Sequence, residues 1–114
     1  MALIRCLNGV DLTALTFESI NQGENTNPTS GSFTLSKDYK YVIVSSGGTA
    51  GYGTITYTGS GTLDFSTNAY GSSAGTGYTS IGTRTHIYKD CKTGDSITID
   101  LAFSQGGYTL IGVN

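Results

Sequence analysis

At 114 residues the chain is long enough for one domain with one hydrophobic core, and a second core is not expected. Only 12% of its residues are charged, against about 25% in an average soluble domain, and the six basic ones are scattered, so nucleic-acid binding through a basic stripe is not expected. The formal net charge is −2 and no apolar run approaches the ~20 residues of a membrane helix, so membrane insertion is not expected either.

From the start, Ala2-Leu3-Ile4 is interrupted by Arg5, and Asn8-Gly9 follows closely. That leaves no apolar segment of the kind a secretion signal needs, so synthesis in the cytoplasm without export is the expectation. Thereafter apolar and polar residues alternate with period two, and no helical stripe is sustained over three turns. The expected fold is all-β, a β-sandwich or jelly roll of eight or nine short antiparallel strands in a single domain over residues 1–114.

Strands are expected at 3–7, 12–20, 32–36, 40–45, 53–58, 62–66, 81–89, 96–103 and 108–113. Residues 40–45 are apolar on both faces at Val42-Ile43-Val44, which places them in the middle of a sheet covered on both sides. In 96–103 the residues Ile97, Ile99, Leu101 and Phe103 face one way, and Ser96, Thr98, Asp100 and Ala102 the other. The first set, with Leu35 and Ile43, makes the expected core. Polar or glycine-rich loops are expected over 22–31, 46–51 and 68–78. Gly94 suits a turn before the strand at 96, and Gln105-Gly106-Gly107 suits a hairpin joining that strand to the last one.

Chemistry-bearing residues are few. Cys6 and Cys91 lie too far apart for a zinc knuckle and are too few for a disulfide scaffold; both are read as reduced, with a bridge between them left open. His86, the one histidine, stands among alternating strand residues and reads as a strand histidine facing outward. Asp90 and Asp95 flank a turn that they would cap, and calcium binding by the pair stays open. Gly47-Gly48-Thr49-Ala50-Gly51 lacks the Gly-Lys-Ser/Thr ending of a phosphate-binding loop, so no nucleotide or other cofactor is expected.

Tyrosine is the remaining signal. Residues 45–80 are dominated by Gly, Ser, Thr and Tyr, the vocabulary of antibody-type contact loops. Tyr41, Tyr57 and Tyr108 read as ordinary sheet residues. Tyr52, Tyr70 and Tyr78 each stand beside glycine, which leaves a ring uncovered for a ligand to approach. Such a ring stacks on the apolar face of a sugar while neighbouring hydroxyls exchange hydrogen bonds with it. These three are the candidate ligand-binding residues, expected on one rim built by 46–53 and 68–78; burial against a second copy of the chain is the alternative.

The phrase Lys92-Thr93-Gly94-Asp95-Ser96-Ile97-Thr98-Ile99, followed by Gly107-Tyr108-Thr109-Leu110-Ile111-Gly112, resembles virion-associated and tail-fibre tip domains of bacteriophages and prophages. The resemblance covers the second half of the chain and brings no catalytic motif. It implies a non-enzymatic structural or receptor-binding protein of the virion, released by lysis, assembled as a homotrimer beside other virion proteins and able to recognise a surface glycan. Two other readings stand beside it: a carbohydrate-binding module of a bacterial enzyme or adhesin, and a small hydrolase whose site the sequence does not display.

Overall fold

The computed structural model describes residues 15–25, 30–49, 52–72, 80–101 and 106–114. They form eight strands: β1 (Phe17–Asn25), β2 (Ser30–Thr34), β3 (Tyr39–Thr49), β4 (Thr54–Thr58), β5 (Thr62–Ser72), β6 (Ser80–Cys91), β7 (Ser96–Asp100) and β8 (Gly106–Val113). All pairings are antiparallel, in a five-stranded sheet of order β1-β8-β3-β6-β5 and a three-stranded sheet of order β2-β7-β4. The two sheets pack into a β-sandwich, as the alternation predicts.

Period two decides which side chains meet between the sheets. Val42 and Val44 of β3, Leu110 of β8 and Tyr88 of β6 pack with Ile97 and Ile99 of β7, Ile55 of β4 and the flanking Leu35 and Leu101. Two aromatic contacts fix the alignment: Tyr57 of β4 stacks on Tyr88 of β6 with ring centroids 4.4 Å apart, and Phe33 of β2 meets Tyr108 of β8 at 5.4 Å. The small sheet therefore covers β8, β3 and β6, with Ile20 of β1 packed against the same core, and leaves β5 projecting beyond it with its residues 62–71 exposed.

Of the expected core, Leu35, Ile97, Ile99 and Leu101 are buried. Ile43 is only half-buried, because register turns Val42 and Val44 inward and points Ile43 to the outer face, between Ile87 and Ile111. Phe103 lies outside the described residues, as do the expected strand at 3–7, the first three residues of that at 12–20, whose end is the start of β1, and Cys6. Cys91 is fully buried with a free thiol, which burial pushes above its ordinary pKa.

Four expectations are corrected. The loop expected over 46–51 is strand as far as Thr49, with Gly47 paired to Thr83 on one side and Gly107 on the other. Likewise β5 runs on to Ser72 through part of the loop expected over 68–78, and β1 and β2 close in on the 22–31 loop from both ends. Backbone pairing asks nothing of side-chain polarity, and glycine lets strands approach closely: a Cβ at Gly47 would lie 2.8 Å from the Gly82 carbonyl oxygen. Finally, the strands at 96 and 108 do not form a hairpin. β7 pairs with β2 and β4, whereas β8 pairs with β1 and β3 in the other sheet.

Candidate ligand-binding groove

Beside β4, where the small sheet stops, the inner face of β5 is left uncovered. Directly opposed residues of an antiparallel pair share a face, so the pairings Ser66↔His86, Asn68↔Arg84 and Tyr70↔Gly82 set Ser66, Asn68 and Tyr70 on the same side as Arg84, His86 and the buried Tyr88. The result is an open groove of about 280 Å³ lined by Ser66, Thr67, Asn68, Arg84 and His86. Its volume falls just under the ~300–1,000 Å³ of small-molecule pockets. It suits a small polar ligand.

Tyr52 stands at one end. Its carbonyl accepts a 2.8 Å hydrogen bond from the buried Ser46 hydroxyl, and positive φ (74°) at Gly53 turns the chain from there into β4. No Cβ fits at Gly53, since it would lie 2.6 Å from Leu101 Cδ2 and 2.7 Å from the Asp100 carbonyl. Tyr52 meets Tyr70 edge to face with centroids 6.5 Å apart. Two of the three tyrosines singled out by their glycine neighbours are thus in contact, although Tyr70 is on a strand rather than a loop and 59% exposed. Tyr78 lies outside the described residues.

Arg84 holds the centre. Its Cζ sits 4.1 Å from the Tyr52 ring centroid, a cation–π contact, and Nη1 donates to the Gly53 carbonyl at 3.0 Å. Among the described residues no carboxylate pairs with it: the ion pairs are Lys37–Glu18, Lys89–Asp64 and Lys92–Asp38, all at the surface. His86 is half-buried on this inner face and does not face outward as expected. Burial first, and then the nearby Arg84 charge, lower its pKa, so the ring is neutral at pH 7. Its Nδ1 lies 2.8 Å from the Tyr88 hydroxyl. Burial pushes that hydroxyl up to about 12, so it stays protonated, and the direction of its hydrogen bond with Nδ1 follows the imidazole tautomer.

The acidic pair does not converge on a shared ligand. Asp90 is exposed, with φ of 55°, whereas Asp95 is buried with its carboxylate committed to protein donors. Oδ2 accepts from the Tyr57 hydroxyl at 2.5 Å and from the backbone N–H groups of Lys92 (3.0 Å) and Gly61 (3.1 Å), and Oδ1 accepts from that of Ser60 (3.0 Å). Asp95 therefore caps its own turn, as expected of it, and reaches the β4–β5 turn as well. Among the described residues no group of three or more His, Cys, Asp or Glu is placed to hold a metal ion.

Arg84, Asn68 and Ser66 are absent from the sequence-level candidates, and His86 enters there only as an outward strand residue. The signal that finds them is a pair of alternations, Ser66-x-Asn68-x-Tyr70 and Arg84-x-His86-x-Tyr88, which acquires meaning only once the two strands are paired. No protein-family model, curated protein or solved structure matches the chain.

Proposed function

We propose that this domain is a non-enzymatic recognition module that binds a cell-surface glycan in the groove formed by β5 and β6 beside the start of β4. The observation that carries this reading is the meeting of Tyr52, Tyr70 and a restrained Arg84 beside the hydroxyl and amide groups of Ser66 and Asn68. Rings supply a stacking surface for a sugar, and the polar groups supply both donors and acceptors for its hydroxyls. The tail-tip resemblance supports a place on the exterior of a phage or prophage particle, where receptor binding by a homo-oligomer, a trimer by that resemblance, is the role such a surface would serve.

NMR titration of the isotope-labelled protein with mono- and oligosaccharides tests the reading. Shifts confined to Tyr52, Ser66, Asn68, Tyr70, Arg84 and His86 are expected. Tyr70→Ala should weaken binding by about 1 to 3 kcal/mol, the effect of losing a stacking aromatic, while the melting temperature stays within a few degrees, because the ring is largely exposed. Unchanged glycan affinity in Tyr70→Ala, or shifts mapping elsewhere, would overturn the assignment. Mass spectrometry of particles purified after lysis tests the setting, and absence of the chain from them removes it.

A further inference from the structure

We infer that the glycan carries a carboxylate, as a uronic or sialic acid does, and that Arg84 is the residue that recognises it. The inference rests on the glycan-binding reading above and adds the chemical class of the sugar. Guanidinium carries a permanent charge and five N–H donors in a planar fork that matches a carboxylate bidentately. Here one donor is spent on the Gly53 carbonyl, and the plane is steadied by the Tyr52 ring. A half-buried arginine ordinarily faces an acid that offsets its lost hydration; among the described residues the groove provides none. The ligand is the natural source of that missing charge.

Charge count narrows the class further. His86 is neutral at pH 7, and Lys89 is paired with Asp64 at 3.6 Å, so among the described residues the groove offers a single positive charge. That balances one carboxylate better than a phosphate dianion, which recruits clusters of cations. Asn68, directly opposite Arg84 in the β5–β6 register, is placed to bind a hydroxyl next to the carboxylate, and the exposed Tyr70 ring is placed to cover the sugar face.

The test is a set of NMR titrations on the full chain with glucuronate-terminated and N-acetylneuraminate-terminated oligosaccharides, their neutral glucose- and galactose-terminated counterparts, glucose 6-phosphate, and acetate. At least one acidic sugar should bind on the order of 10- to 100-fold tighter than its neutral counterpart, the range expected for a charged hydrogen-bonded contact. Arg84→Gln should erase that preference, Arg84→Lys should keep part of it, and added salt should reduce it. The two acidic arms distinguish uronic from sialic acid, and acetate reports whether the sugar ring contributes. Equal binding of acidic and neutral sugars would overturn this inference while leaving glycan recognition intact. Tighter binding of glucose 6-phosphate would overturn the carboxylate assignment, and no binding of any saccharide would overturn both readings. Should Arg84→Gln fail to fold, the wild-type ratio of acidic to neutral affinity still decides the matter.

Discussion

The Asp95 carboxylate accepts hydrogen bonds from a tyrosine hydroxyl and from three backbone N–H groups. Burial alone would raise the Asp95 pKa, but the hydrogen bonds from Tyr57 and the backbone of Lys92, Ser60 and Gly61 outweigh it and hold the group at about 2. The folded value lies below the unfolded one near 3.8, so the stabilisation is fully present above about pH 4 and is lost as pH falls towards 2. Asp95→Asn should then cost about 2 to 4 kcal/mol at pH 7 and flatten the acid limb of a stability-versus-pH curve measured by thermal melting. A variant that melts like the wild type at pH 7 and keeps its acid sensitivity would show that other carboxylates govern it. At Cys91 the expectation is kinetic. A fully buried thiol with a raised pKa should resist alkylation in the native state and react once the protein is denatured, as peptide mapping after iodoacetamide would report.

Elements differ in how plainly the sequence announces them, and side-chain contrast decides it. In β7 the order Ser-Ile-Thr-Ile-Asp displays the pleat directly, and its buried positions are the expected ones. β3 loses its contrast at Gly47-Gly48, where no side chain marks either face, yet Gly47 pairs with Thr83 and Gly107 on its two sides and Gly48 pairs with Gly82. Close approach is their role: an added Cβ at Gly106 would overlap the Gly47 carbonyl. Gly106→Ala should therefore destabilise the domain by about 1 to 3 kcal/mol, the typical effect of overpacking, and a denaturant titration with an unmoved midpoint would contradict that close contact. Sheet membership is equally silent in the sequence, since β7 and β8 are neighbours along the chain but hydrogen-bond to different partners. The groove follows the same rule: glycine neighbours point to Tyr52 and Tyr70, but Arg84 and His86 become groove residues only through the register that sets them opposite Asn68 and Ser66.

For the whole molecule, the mismatch between five strands and three has a consequence for assembly. Among the described residues β5 ends the large sheet with a long unpaired edge, eleven residues bearing one charge, Asp64, near its start. Leu63, Phe65 and Tyr70 are each more than half exposed along it, as is Phe17 on the opposite edge strand. Natural sheets blunt such edges with charges, bulges or a covering element, and the β5 bulge between Leu63 and Phe65 leaves the stretch beyond it regular. Pairing with a second copy of the chain is the expected outcome: running antiparallel about a two-fold axis at Thr67, each Phe65 would lie opposite the partner copy's small residue at position 69, and the two Asp64 carboxylates would stand well apart. Edge pairing of this kind gives a dimer, whereas the tail-tip resemblance implies a trimer, and light scattering against the 11.9 kDa monomer mass distinguishes the two. Phe65→Lys is the deciding variant, because a charge on the apolar edge should convert a β5-paired dimer to monomer while leaving the buried core, and so the far-UV spectrum, unchanged. A trimer insensitive to that substitution would move the interface to another face, and a wild-type mass of 11.9 kDa at micromolar concentration would show that the edge stays open in solution.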